Sequence, residues 1–392
     1  MQRIDTTERR ARIVERHRLA PGTRGASLED VARSLVGIHS SDPITVFLAG
    51  WARLVEPDVG AMERELYQSG TLLRMHGMRR TLFVVPHDVA PAIQAGAAER
   101  IAVGERARVL REITQAGLAP DPVAWLAEVE DATLEALRAR GEATANQLGV
   151  DEPRLRTQML FNVGKKYEGS VGVSTRLLFL LAMEGRVARG RPAGSWVSSQ
   201  YHWVPIEAVL PDGYPALDPP AARQEIVRRW LAAFGPGTLA DIRWYTGWTV
   251  AEVRRILGEL DVIDVDLDGT PGIVLADDRG STPAREPSAA FLPGLDPTVM
   301  GWTDRRFYLA GHAKSLFDTN GNAGPTVWWD GRIVGGWAQR RDGGVVHRLL
   351  EDIGGEGTAA IDAERDRLQA WLGPARVTPR FRTPFERELA GS

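Results

Sequence analysis

Apolar residues recur at helical spacing from the start of the chain. Ile13, Val14 and His17 share one face of a helix over residues 5–18, which Thr6 or Thr7 can cap and which Ala20-Pro21-Gly22 ends. Ser27, with Asp30 three residues on, has the spacing of a capping box, and Leu28, Val31, Leu35 and Val36 form the apolar face that follows. Pro43 opens a third helix with Val46, Phe47, Trp51 and Leu54 as its apolar positions, and a fourth covers about 58–68. Residues 81–85, TLFVV, are β-branched and aromatic and stop at Pro86, which predicts a strand. Several short helices followed by a strand is the order of a winged helix-turn-helix unit.

The same order returns twice. Residues 121–139 predict a long amphipathic helix, 141–150 a short one entered through Thr144, and 174–190 a helix running into a strand, as a recognition helix runs into its wing. Helices over 221–235, 237–248 and 249–260 then precede VIDVDLDGTPGIVL, a hairpin turning at Asp268-Gly269. The repeat is one of architecture, not of close sequence identity. The tail differs: residues 325–349 read as three strands with Asp-Gly turns at 330–331 and 342–343, followed by a helix over 360–372. The pattern predicts a mainly α fold with small β elements: three tandem winged helices at 1–90, 91–215 and 216–284, and a C-terminal β-rich domain at 285–392.

Composition narrows the chemistry. Cys is 0 in 392 residues, which excludes disulfides, thiolate metal sites and cysteine nucleophiles. The seven His show neither HxH nor HExxH spacing, so no metal and no cofactor is expected. GxSxG and a complete phosphate-binding glycine loop are absent. No run of 18 apolar residues predicts a membrane span, and the N-terminus has no apolar signal core, so the sequence reads as a soluble, cytoplasmic, monomeric protein.

Net charge is −3, against a generally basic nucleic-acid binder, yet basic residues cluster locally. Between Thr71 and Val85 lie Arg74, Arg79 and Arg80 without a carboxylate. Between Arg154 and Arg191 lie eight basic residues, among them Lys165, Lys166, Arg176 and Arg189, against only Glu168 and Glu184. These windows suggest a one-sided face for DNA phosphates; an ordinary solvated surface is the plainer reading. Trp51, Trp230 and Trp371 sit at helical apolar positions and read as core. Trp196, Trp203, Trp328 and Trp329 can stack on a base, but packing within their hairpins is the simpler assignment.

Four segments carry a resemblance when taken in order: LVGIHSSDPITVFLAGWARL at 35–54, LLRMHGMRRTLFVV at 72–85, FLPGLDPTVMGWTDRR at 291–306 and GRIVGGWAQRRDG at 331–343. Together the chain resembles the AlkZ/AlkX (YcaQ-like) winged-helix DNA glycosylases. The resemblance implies three winged helices forming a C-shaped channel with a C-terminal β-rich domain. It also implies excision of bulky N-alkylated purines, crosslinks included, from double-stranded DNA.

That family carries Gln–apolar–Gln, or in one branch Gln–apolar–Asp, at the positions matching 39–41, whereas this chain has His39-Ser40-Ser41 followed by Asp42. By this alignment His39, whose residue type has an ordinary pKa of about 6.5, can orient a water or take its proton. Ser41 can hold the same water, and Asp42 can orient His39 or stabilise charge at the sugar. Asp42-Pro43 also reads simply as the N-cap and first residue of the next helix. The altered motif suggests a lesion-specialised paralogue, of the kind that protects a producer of a DNA-alkylating natural product. A DNA-binding protein with weak or no catalysis, serving lesion recognition or gene regulation, and a protein-interaction scaffold remain as alternative readings.

Overall fold

The computed structural model describes residues 2–161, 164, 168–283 and 285–391. It is mainly helical with small sheets. The chain divides into two compact units, one formed by Met1–Leu72, Phe83–Pro86 and Gln224–Ser392, the other by Leu73–Leu82 and His87–Arg223.

In the first unit the N-terminal helix spans Thr6–Arg16 and is capped by Asp5, one residue before the threonines expected to do so; the Asp5 carboxylate accepts the Glu8 N–H at 2.9 Å. Ser27 and Asp30 form the capping box of Leu28–Ser34. Helix Pro43–Arg53 is buried along its whole length, as a helix apolar on every side must be. It packs closely because residue 50 is glycine: a Cβ there would lie 2.5 Å from the Met62 sulfur.

At the end of this helix Arg53 forms a fully buried ion pair with Asp296, at 2.7 Å. Its guanidinium also donates to the Thr298 hydroxyl at 2.9 Å. That hydroxyl donates to His17 Nδ1 at 2.9 Å, and His17 Nε2–H donates to the Ala233 carbonyl at 3.1 Å. The carbonyl can only accept, so the chain of bonds holds His17 in one neutral tautomer.

Helices Leu239–Thr246 and Val250–Glu259, each opened by a threonine capping box, lead into the hairpin Val262–Leu267/Thr270–Leu275. It turns at Asp268-Gly269, both at positive φ, the geometry that favours Asp-Gly in two-residue hairpins. Strand Gln2–Arg3 adds parallel to Val262–Leu267. The C-terminal part is a four-stranded antiparallel sheet in the order Ala289–Leu292, Thr326–Trp329, Arg332–Gln339, Val345–Leu349. The Asp330-Gly331 turn forms as expected, while the 342–343 turn sits in a five-residue loop between Gln339 and Val345. The following helix spans Gly354–Leu372, beginning before residue 360, and a further helix, Pro384–Ala390, was not anticipated. Trp51, Trp230, Trp328 and Trp329 are buried, so packing accounts for them.

The second unit holds helices Pro122–Arg140, Ala145–Asp151 and Val173–Met183, then the strand pair Val187–Pro192/Tyr201–Pro205. Its core includes Val109, Ile113, Leu126, Val129, Leu177, Leu181 and Trp203. One large element was not read from the sequence: helix Glu99–Gln115. Its segment ERIAVGERARVLREITQ is dense in charge, and Glu105 and Glu112 occupy buried positions where a hydrophobic pattern would place apolar residues.

His76 in strand Leu72–His76 is buried, its Nδ1 has no hydrogen-bond partner among the described residues, and its ring meets Phe179 edge-on. Burial, reinforced by Arg189, Arg74 and Arg80, pushes its pKa down to about 3; burial likewise pushes His17 down to about 3. Both histidines are therefore neutral when folded and gain protons more readily when unfolded. Their contribution is complete above the unfolded pKa of about 6.5 and is lost as pH falls towards 3, at up to about 1.4 kcal/mol per pH unit for each. Replacing His76 with Leu should flatten the acid slope measured by urea unfolding between pH 6.5 and 4. An unchanged slope would show that His76 is not a source of it.

Candidate catalytic segment and nucleic-acid interface

The segment expected to carry the chemistry crosses from a strand to a helix. Ile38–His39 pairs antiparallel with 83–84, Ile38 opposite Val84 and His39 opposite Phe83. Strand alternation sends the Ile38 side chain into the core, where it is fully buried, and leaves His39 half-buried on the other face. The His39 ring meets the edge of Phe83 at a centroid distance of 6.0 Å.

The Ser41 backbone N–H donates to His39 Nδ1 in a long bond of 3.4 Å. A neutral imidazole that accepts at Nδ1 carries its proton on Nε2, where it is a donor. With Nδ1 accepting, the neutral ring is a donor at Nε2 and not a base there. Ser40 is buried and Ser41 half-exposed.

Asp42 is the N-cap of Pro43–Arg53: Oδ1 accepts the Ile44 N–H at 3.3 Å. Oδ2 accepts the Arg380 backbone N–H at 2.8 Å. The carboxylate is 5% exposed, and burial raises its pKa against the pull of these two amides. In this arrangement Asp42 clamps the helix start to the C-terminal segment.

The basic residues singled out in the sequence lie in the second unit, apart from Lys165 and Lys166, which fall outside the described residues. Arg74, Arg80 and Arg189 all lie close enough to His76 to oppose its protonation. Arg74 is itself 3% exposed and donates to the Gly190 carbonyl at 3.1 Å, which makes it an anchor of the fold and removes it from the accessible set. Arg189 stacks on Tyr201 at 3.5 Å and faces Trp203 at 4.6 Å.

Carboxylates meet several of the others. Arg80 pairs with Glu105 at 2.9 Å, Arg176 with Glu112 at 2.7 Å and Arg186 with Glu130 at 2.9 Å. The sequence windows look poor in acid because Glu105, Glu112 and Glu130 come from helices outside them. Local charge counts along the chain miss pairs made by tertiary structure.

Arg79 and Arg80 are exposed and both have positive φ, Arg79 at 53° and Arg80 at 65°. A non-glycine residue there costs roughly 1–2 kcal/mol. Strain held at two consecutive exposed arginines suggests that their placement serves a function. Arg79→Gly should raise stability by about 0.5–1 kcal/mol in urea unfolding while weakening duplex DNA binding. A variant that gains stability and binds as before would free Arg79 from the interface.

A further basic group escaped the sequence reading. Arg340 and Arg341 lie in the loop after Arg332–Gln339, and Arg376 and Arg380 in the segment before Pro384–Ala390. The run VTPRFRTPFER at 377–387 is the sequence signal for it.

Comparison with known proteins follows this geometry. Among curated proteins, no match to the chain is found. Among solved structures, the Streptomyces sahachiroi DNA glycosylase AlkZ superposes with a TM-score of 0.69 over 97% of this chain and 100% of that one, at 20% identity. At that identity the likeness establishes the fold. The sequence profile described as DNA glycosylase AlkZ-like matches residues 32–371, which span the 39–42 segment and both basic windows. The chain belongs to the AlkZ-like family of DNA glycosylases.

Proposed function

We propose that this enzyme excises bulky N3- or N7-alkylated purines from double-stranded DNA as a monofunctional glycosylase, using the 39–42 segment at the sugar. The observation that carries the reading is the arrangement of His39 and Ser41 at a half-buried strand end. The resemblance of residues 35–54 to the family aligns it with the Gln–apolar–Gln motif.

Alkylation at N3 or N7 makes the purine a cationic leaving group. When the C1′–N bond breaks, its electron pair goes to the purine, which leaves neutral, and positive charge develops on the sugar. Water then adds at C1′ and releases one proton. So reactive a sugar needs a placed water more than a strong base. His39 and Ser41 supply hydrogen bonds that hold this water, and Asp42 fixes the segment on which they sit. Arg79, Arg80, Arg176, Arg189 and the two lysines at 165 and 166 are assigned to the DNA phosphates. We read the helix–helix–hairpin segments as three winged helices followed by a β-rich domain, acting as a cytoplasmic monomer. Self-resistance to a genotoxic natural product, with crosslinks among its lesions, is the biological setting this reading favours. Among the described residues no helix is long and apolar enough to cross a membrane.

Mass spectrometry of bases released from duplex DNA treated with a panel of alkylators tests the proposal. Free N3- or N7-alkylpurine, with bulky adducts released ahead of methyl ones, is the expected result. Tight binding of the treated duplex with no base released would support the alternative of a lesion-binding protein.

A further inference from the structure

The C-terminal segment meets the candidate catalytic segment through one residue. The Arg380 backbone N–H donates to Asp42 Oδ2 at 2.8 Å, and the Arg380 guanidinium donates through Nη1 to the Ser41 carbonyl at 3.3 Å. Both bonds fall within the stretch that the function assigns to the sugar. The side chain is exposed and forms no ion pair among the described residues.

The segment is held in place independently of that side chain. Val377 N–H donates to Gln339 Oε1 at 2.8 Å, Gln339 Nε2 donates to the Ala375 carbonyl at 3.1 Å, and Arg376 donates to the Asp342 carbonyl at 3.0 Å. These bonds lay residues 375–377 along the loop that carries Arg340 and Arg341. Arg340, Arg341 and Arg376 are likewise exposed and make no ion pair among the described residues. Of the carboxylates close by, Glu386 pairs with Arg382 at 2.6 Å, while Asp342 and Asp42 accept backbone N–H groups and keep their charge, Asp42 within the field of Arg380. In the second unit, by contrast, Arg80, Arg176 and Arg186 are each matched by a glutamate. Four exposed arginines of the first unit, none of them in an ion pair among the described residues, thus border the 39–42 segment.

We propose that Arg380 binds a DNA backbone phosphate beside the lesion sugar, with Arg340 and Arg341 extending the same phosphate track, so that the C-terminal segment sets the register of the strand over His39 and Ser41. This rests on the glycosylase reading for the identity of the sugar, and on charge and geometry alone for the phosphate. A guanidinium has five N–H donors in a planar fork. One of them suffices for the Ser41 carbonyl, and the others remain to bridge to a phosphate. The family profile ends at residue 371, before this segment begins.

Arg380→Ala keeps the backbone N–H that holds Asp42 and removes only the fork. It should reduce the slope of log affinity against log salt by about one unit on an unmodified duplex. It should also slow single-turnover excision at saturating enzyme roughly tenfold, through loss of register. Arg380→Lys keeps the charge, so it should restore the slope but not the rate. Arg340→Ala with Arg341→Ala should lower the slope further. An Arg380→Ala variant with wild-type affinity and slope overturns the proposal, and full recovery of the rate by Lys overturns the bridging role of the fork. Because the salt slope is read on undamaged DNA, it stands apart from excision. A wild type that releases no base, yet loses a unit of slope in Arg380→Ala, would sink the glycosylase reading and uphold the phosphate contact.

Discussion

His39→Ala should lower single-turnover excision of an alkylpurine by roughly ten- to a thousandfold while changing DNA affinity little. The range runs from a positioning role to the typical general-base contribution of about 10²–10⁴. The geometry points to its lower part. Ser41 N–H donates to Nδ1, so in the neutral ring the proton sits on Nε2, a donor and not a base. His39→Gln, whose side-chain amide can also donate, should therefore recover part of the lost rate, whereas a histidine that must accept a proton would not be replaced by an amide. Ser41→Ala should cost less than His39→Ala. A residual rate in His39→Ala is expected, because a cationic purine departs partly unaided. A wild-type rate would remove His39 from the mechanism.

The largest effect on stability should come from the ion pair at the end of the buried helix. Asp296→Asn removes one charge from a pair whose side chains are both fully buried, and leaves the Arg53 guanidinium without its counter-ion. Breaking such a pair from one side costs about 3–5 kcal/mol. Asp296 also caps helix Pro297–Met300, accepting the Thr298 N–H at 2.9 Å, and Asn keeps an oxygen able to do so, so the loss reports on the charge. Arg53 also donates to the carbonyls of His17 and Ala49, so its displacement would loosen the first helix as well. The double variant Arg53→Met with Asp296→Leu removes both charges together and should lose less than Asp296→Asn alone. Urea unfolding followed by tryptophan fluorescence measures both. A loss below about 1 kcal/mol for Asp296→Asn would contradict this account of the pair.

The legible parts of the fold were those written in local chemistry. Ser27 with Asp30, and the Asp-Gly pairs at 268–269 and 330–331, name their own cap or turn through side-chain hydrogen bonds and tolerance of positive φ, and the structure has them. Helix Glu99–Gln115 was missed because it buries Glu105 and Glu112 against arginines distant in sequence, so its inward face does not look apolar. The same pairs explain why a window rich in arginine proved largely compensated. At the site, Asp42-Pro43 announced the helix start, and the cap is there. The contact between Asp42 and Arg380 joins positions 338 residues apart, and no local pattern encodes it.

Excision from a defined duplex bearing one bulky N7-alkylguanine, timed against the same duplex without enzyme, tests the central claim most directly. The uncatalysed control is essential because the adduct is lost slowly on its own. The account predicts release of the intact alkylated base and an abasic site in a single turnover, well above the spontaneous rate, with His39→Ala falling back towards it. Release no faster than the control, from a protein that nonetheless binds the duplex, would contradict it.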